Sequence, residues 1–253
     1  MKFHNDFIGL DEKDKVFSFL PGDTEETFNR HYLRKGQSWY YRNVEISYII
    51  NENGHRSKSI NDLDLNNYIL FTGCSHTMGI GLELEKTYPH LVSHSLGFDY
   101  YNIALPGTGI DAVEYNLLTW LHKVPVRPKI VFIQMPDHTR FMSYKPFVNA
   151  DHLIETGTWA EDQETKEMIV NAEDIGFLNA RKYFIYQNII HLMKDTYVIK
   201  YNVAGQSNPE LGIKMRRYDY ARDMSHFGIK SHAVFAEDLV KVAVELYPEL
   251  KTV

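Results

Sequence analysis

From about residue 68 onward the sequence alternates short apolar runs with longer stretches of helical periodicity, the rhythm of a parallel α/β sheet. "YILFTG" opens the series as a strand, and "LEKTYPHLVSHSLG" follows as a helix closed by Gly97. "FDYYNIAL" reads as the second strand. "GIDAVEYNLLTWLHK" then carries Ala112, Val113, Leu117, Leu118 and Leu121 at helical spacing. "KIVFIQM" is almost continuously apolar, as a central parallel strand covered on both faces must be. "FLNARKYFIYQNIIHLMK" reads as an amphipathic helix, "TYVIKYNV" as the next strand, and "SHAVFAEDLVKVAVELY" as a last helix starting near Ser231.

Two regions lack this rhythm. Residues 1–67 read as an extension packed on the main domain of residues 68–253. Within it "SWYYRNVEISYIINENGHR" is aromatic and β-branched and ends in an Asn-Gly turn signal, which predicts strands or a hairpin. The stretch 143–174 is polar and acidic with weak periodicity, and reads as an insertion over the sheet rather than a core element.

Composition narrows the function classes. The formal charge of -6 and pI near 6.0, without a dense Lys/Arg block, argue against a nucleic-acid partner. "KMRRY" at 214–218 is the nearest approach to a basic patch and reads as a solvated turn. No apolar span reaches membrane length, and the start of the chain has no signal-peptide core, so no membrane association is expected. With Cys74 as the single cysteine, the expected location is cytoplasmic, a secretion route without a signal peptide staying open.

The chemistry is concentrated in "ILFTGCSHTMGIG" and "ARDMSHFGIKSH". Ser75 follows a strand and precedes a helix, which puts it at the carboxyl edge of the sheet, where open α/β folds hold their sites. A serine there is a nucleophile only if a base reaches it. Asp223 and His226 are three residues apart, a turn length that lets a carboxylate hold one ring nitrogen while the other faces a serine.

These blocks resemble the SGNH (GDSL-type) hydrolase superfamily. Its first block corresponds to Gly73-Cys74-Ser75-His76-Thr77-Met78-Gly79. Its second block, an asparagine at a strand end with an oxyanion-binding glycine shortly after, corresponds to Asn102 and Gly107 in "NIALPGTG". Its last block corresponds to Asp223-Met224-Ser225-His226-Phe227 with Ser231-His232. The resemblance covers roughly residues 68–246 and implies a three-layer, flavodoxin-like α/β fold with a central parallel sheet.

By the same resemblance, Ser75 is the nucleophile, His226 the general base and then acid, and Asp223 its orienter. The backbone N–H groups of Ser75 and Gly107 stabilise the oxyanion. The implied reaction is ester hydrolysis on a small-molecule or carbohydrate ester, with O-acetyl groups on sugars one substrate class, and neither cofactor nor metal is implied.

Two departures stand out. Where the family's third block has an asparagine whose amide donates to the oxyanion, "IQMPDHTRF" places Asp137, an acceptor-only group when ionised. His138, Thr139 or Arg140 are the replacement donors at hand. Alternatively, the chain keeps the fold as a catalytically impaired binding or assembly protein. The second departure is Cys74 in place of the usual aspartate; it reads as a buried small hydrophobe rather than a rival nucleophile.

Plainer readings compete for each motif. Ser75 alone reads as a helix N-cap, and His226 as a solvated loop histidine or a cap of the last helix. His90 and His94, four apart, lack the rest of a zinc motif. Gly107-x-Gly109-x-x-Ala112 mimics a dinucleotide fingerprint, with Asp137 as its acidic partner, but leaves Ser75, Asp223 and His226 unexplained. Trp39-Tyr40-Tyr41 reads as core under a hairpin before it reads as a sugar platform.

Overall fold

The computed structural model describes residues 6–144, 153–156, 163–174, 176–203 and 212–249. The N-terminal part holds β1 (Lys15–Phe17), α1 (Glu25–Arg34) and β2 (Tyr48–Ile50), with β1 and β2 paired antiparallel. The aromatic stretch is therefore not a hairpin. Tyr40–Asn43 is a 3-10 turn, and only Tyr48–Ile50 forms a strand, finding its partner more than thirty residues upstream.

The main sheet follows in the expected rhythm. It is built from β3 (Tyr68–Thr72), the single turn α2 (Ser75–Met78), α3 (Tyr88–Leu96), β4 (Asp99–Asn102), α4 (Ile110–Lys123) and β5 (Ile130–Gln134). Gly97 closes α3 in the left-handed conformation. The segment expected as an insertion over the sheet, with the residues just before it, contains β6 (Phe141–Tyr144) and β7 (Leu153–Thr156), paired antiparallel, and α5 (Gln163–Asp174). Ile169 of α5 is buried but joins none of the core clusters, and residues 145–152 and 157–162 lie outside those described.

α6 (Phe177–Leu192), β8 (Tyr197–Val203), β9 (Lys214–Met215) and α7 (Ile229–Leu246) complete the chain. α6 lies where the sequence predicts a helix, but it is not cleanly amphipathic. Phe177, Tyr183 and Phe184 are exposed, while Lys182 is buried with Leu178 and Ile189.

All neighbours in the five-stranded sheet β4-β3-β5-β8-β9 pair parallel. Counted within that sheet alone the order is 2-1-3-4-5, the flavodoxin-like doubly wound arrangement that the sequence blocks imply. Successive strand residues face opposite layers. Ile69, Phe71, Phe132 and Tyr201 pack with α3 and α7, and Leu70, Val131 and Ile133 pack with α4 and Ile189 of α6. Among the described residues no helix is long and apolar enough to cross a membrane.

This order fixes where a ligand can enter. From β3 the chain winds to one side through β4, then crosses back to β5 on the other. The loops leaving β3 and β5 diverge there and open a crevice at their carboxyl ends.

Candidate active site

The loop leaving β3 begins at Gly73, whose φ is +148°. A Cβ there would lie 2.5 Å from Gln134 Cβ and 2.6 Å from Thr77 Oγ1, so only glycine lets the two loops approach this closely. Across that contact Gln134 Oε1 accepts from the Cys74 N–H at 3.1 Å and the Thr77 hydroxyl at 2.7 Å. Its Nε2 lies 2.9 Å from Cys74 Sγ. Gln134 is thus a latch between β5 and the turn carrying Ser75. Sequence reading passed over it because it resembles the end of an apolar strand.

Cys74 is buried with its thiol against this amide, in keeping with the structural reading of that residue. Cys74, not Ser75, occupies the cap position of α2, and no side-chain cap bond forms. Ser75 is therefore not the N-cap of the plainer reading. Its hydroxyl bonds to Cys74 Sγ at 3.9 Å, and among the described residues neither its N–H nor that of Gly107 has a hydrogen-bond partner.

Asp223 and His226 meet as their spacing suggests. Asp223 Oδ1 accepts the backbone N–H groups of Ser225 at 3.2 Å and His226 at 3.1 Å, and Oδ2 lies 2.5 Å from His226 Nδ1. A carboxylate only accepts, so Nδ1 carries the proton and Nε2 is left as the basic nitrogen. Met224, at φ +59°, makes this turn tight enough to close. The His226 ring stands 5.0 Å from the ring of His76, the neighbour of Ser75, and His76 also packs on Phe227 at 4.7 Å.

The Asp223–His226 pair and the serine turn thus share one end of the sheet. Among the described residues no hydrogen bond links Ser75 to His226. Burial, reinforced by the nearby His226, pushes His76 well below the ordinary histidine range, so it faces His226 as a neutral ring.

The loop leaving β5 departs from expectation. Asp137 Oδ1 accepts both the N–H of Thr139 at 2.9 Å and its hydroxyl at 2.7 Å, so Thr139 is engaged locally and is not a spare oxyanion donor. Burial alone would raise the Asp137 carboxyl. The Thr139 bonds, with His138 and Lys182 nearby, outweigh it and hold the group below its ordinary value. His138 is buried, its Nδ1 3.7 Å from Asp137, and Arg140 is half-buried, its N–H closing a turn on the Asp137 carbonyl.

Lys182 is the cation that sequence reading missed. It is only 5% exposed, and burial pushes its amine from 10.5 down to about 8, with Asp137 pulling the other way. Its signal was present, since Leu178, Lys182 and Ile189 follow one helical stripe. Because the folded value lies below the unfolded one, the unfolded chain holds this proton more tightly. The penalty is full below pH 8 and vanishes as pH rises towards 10.5. Lys182→Met is therefore expected to raise stability at pH 7 by up to about 3 kcal/mol. Urea midpoints at pH 7 and pH 10 check this; a gain that does not shrink at pH 10 contradicts it.

The other candidates separate from this site. His232 is buried, stacks on Tyr88 and accepts the Tyr88 N–H at 3.0 Å, a packing role. A Cβ on Gly109 would lie 2.5 Å from the Arg140 carbonyl oxygen, so backbone fills the start of α4 where a dinucleotide diphosphate needs space. His90 and His94 stack beside a cavity of about 340 Å³, and no group of three metal-ligating side chains occurs among the described residues. Of the Trp39-Tyr40-Tyr41 cluster only Tyr41 is buried; Trp39 is half-buried, packed on Phe28 at 5.8 Å and edged by Tyr41 and His31, and Tyr40 is exposed, so the core reading holds in part.

No protein-family model matches the chain, and no curated protein does. Among solved structures it is similar to a carbohydrate esterase family 2 enzyme with a carbohydrate binding domain from Corynascus thermopiles (Myceliophthora fergusii). That match is 16% identical and covers 71% of this chain and 66% of the other, at TM-score 0.44. An acetyl xylan esterase from the rumen bacterium Butyrivibrio proteoclasticus matches at 13% identity, 75% and 66% coverage and TM-score 0.40. A protein described as lipolytic, of the G-D-S-L family, from Desulfitobacterium hafniense DCB-2 matches at 14% identity, 70% and 99% coverage and TM-score 0.35. The chain thus spans just under two thirds of the length of the two esterases.

Proposed function

We propose that this chain is a serine esterase of SGNH type, with Ser75 as nucleophile, His226 as general base and then acid, and Asp223 as its orienter. The observation that carries this reading is the Asp223–His226 pair at 2.5 Å. It leaves Nε2 basic beside the serine-bearing turn, at the crevice where such sheets bind ligands.

In this mechanism the Ser75 oxygen attacks the ester carbonyl while its proton passes to His226 Nε2. The Ser75 and Gly107 N–H groups face the oxyanion. Collapse breaks the bond to the alcohol oxygen, which takes the proton from His226 and departs. Water, deprotonated by His226, then releases the acyl group from Ser75. O-acetyl groups on carbohydrates are the substrate class to screen first.

The missing asparagine amide sets the expected efficiency. Losing one oxyanion donor costs about 10²–10³ in rate, so slow turnover is the expected behaviour. Engagement of Asp137 by Thr139 also favours a second reading, a binding protein that has kept the cleft.

Labelling with a fluorophosphonate serine probe, mapped by mass spectrometry, tests the proposal. Modification at Ser75 is expected, abolished in Ser75→Ala and strongly slowed in His226→Ala. A folded protein that takes no label at Ser75 turns the assignment to the binding protein.

A further inference from the structure

The N-terminal part reaches into the candidate site through one buried carboxylate. Asp23 is 0% exposed and Arg222, the residue before Asp223, is 3% exposed. Arg222 Nε lies 3.1 Å from both Asp23 oxygens and Nη2 lies 2.7 Å from Oδ2. The Tyr48 hydroxyl donates to the same carboxylate and accepts the Gly81 N–H at 2.7 Å. Gly81 O in turn accepts the Arg222 N–H at 3.0 Å.

The contacts close a ring, Asp23–Tyr48–Gly81–Arg222, with one side in the loop after α2 and another beside Asp223. The Arg222 guanidinium also donates to the Ser18 carbonyl and lies 4.5 Å over the Phe19 ring. Next to Asp23, Gly22 flanks the base itself. At φ +93°, a Cβ on it would stand 3.5 Å from His226 Cε1.

A buried ion pair is a weak source of stability, because desolvating both charges offsets most of their attraction. What this one supplies is geometry, since the bidentate fork fixes the backbone of Arg222 and hence the start of the Asp223–His226 turn. We propose that Asp23 is a positioning residue for that acid–base pair, and that residues 18–23 form one wall of the site. The proposal rests on the esterase reading.

Two variants test it, Asp23→Asn and the apolar pair Asp23→Leu/Arg222→Met. Asp23→Asn is expected to lower kcat on 4-nitrophenyl acetate at least tenfold, with KM within about twofold, at temperatures well below its melting point. The double variant removes both buried charges and is expected to regain thermal stability without regaining kcat. A structural role alone predicts that kcat returns with stability. A folded variant of either kind whose kcat stays within twofold of the parent overturns the proposal.

One further readout does not depend on turnover. The His226 Nδ1 proton, held by Asp223, is expected as a downfield proton resonance in the parent and to be lost or shifted in Asp23→Asn. If the parent is inactive and unlabelled at Ser75, the esterase reading fails. The resonance then decides the positional claim separately: an unchanged line in Asp23→Asn sinks it.

Discussion

If the proposed esterase mechanism operates, Asp223→Asn is expected to lower turnover by about 10⁴, the loss that follows when a triad histidine is held in the wrong tautomer. Asparagine fits the space and can still accept the Ser225 and His226 N–H groups through its oxygen. Its NH₂ then faces Nδ1, which must accept, so the proton moves to Nε2. That nitrogen can no longer take a proton from Ser75. Folding should be nearly unaffected, because the backbone bonds of the turn survive. Steady-state kinetics on 4-nitrophenyl acetate, with circular dichroism as the folding control, checks this. Retention of more than a tenth of the parent rate removes Asp223 from the role.

Acidification is expected to unfold the protein through buried histidines, His55 and His232 alongside the neutral His76 already described. His55 Nε2–H donates to the Ile8 carbonyl at 3.1 Å while Nδ1 faces the Tyr101 hydroxyl at 3.1 Å, and burial pushes its pKa to about 4. His232 accepts the Tyr88 N–H, and burial, with His226 and Arg56 adding to it, pushes its pKa to about 3. Both rings are therefore neutral in the fold, whereas in the unfolded chain each takes a proton near pH 6.5.

Below that pH the unfolded state binds more protons, so the stability present above pH 6.5 is lost as pH falls towards the folded values. Near pH 4 each ring costs about 3 kcal/mol, and together they approach the whole stability of an ordinary domain. Urea midpoints should fall steeply between pH 6.5 and pH 4.5. Replacing His232 by Asn should flatten that slope, even if it lowers stability at pH 7. A midpoint unchanged across this range contradicts the burial argument.

The sheet was readable because its signal is local. "YILFTG", "KIVFIQM" and "TYVIKYNV" announce strands by composition, and the full burial of the first two on both faces requires helices on both sides. The Asp223-x-x-His226 pair was readable for the same reason, since one tight turn joins its members. The position of Ser75 just beyond β3 was readable from its place after a strand.

Other features depended on segments far apart in the chain. Asp23 and Arg222 are 199 positions apart, and nothing in either neighbourhood signals the other. Gln134 becomes a latch only because Gly73 lets two parallel strands deliver their loops into contact.

α6 marks the boundary between the two kinds of information. Its periodicity correctly announces a helix, but which side is covered depends on α4 and on the loop after β5, so Lys182 is buried and Phe184 exposed. Backbone periodicity and short-range sterics act within a few residues, so β3, β4, β5, β8, α3, α4, α6, α7 and the Asp223-x-x-His226 turn were legible locally, whereas α1, α5, β1, β6, β7 and β9 were not, and Lys214–Met215 is a strand rather than the solvated turn expected there. Which distant charges meet and which helix face is dry emerge only in the folded chain, because burial and ion pairing depend on what packs against a residue.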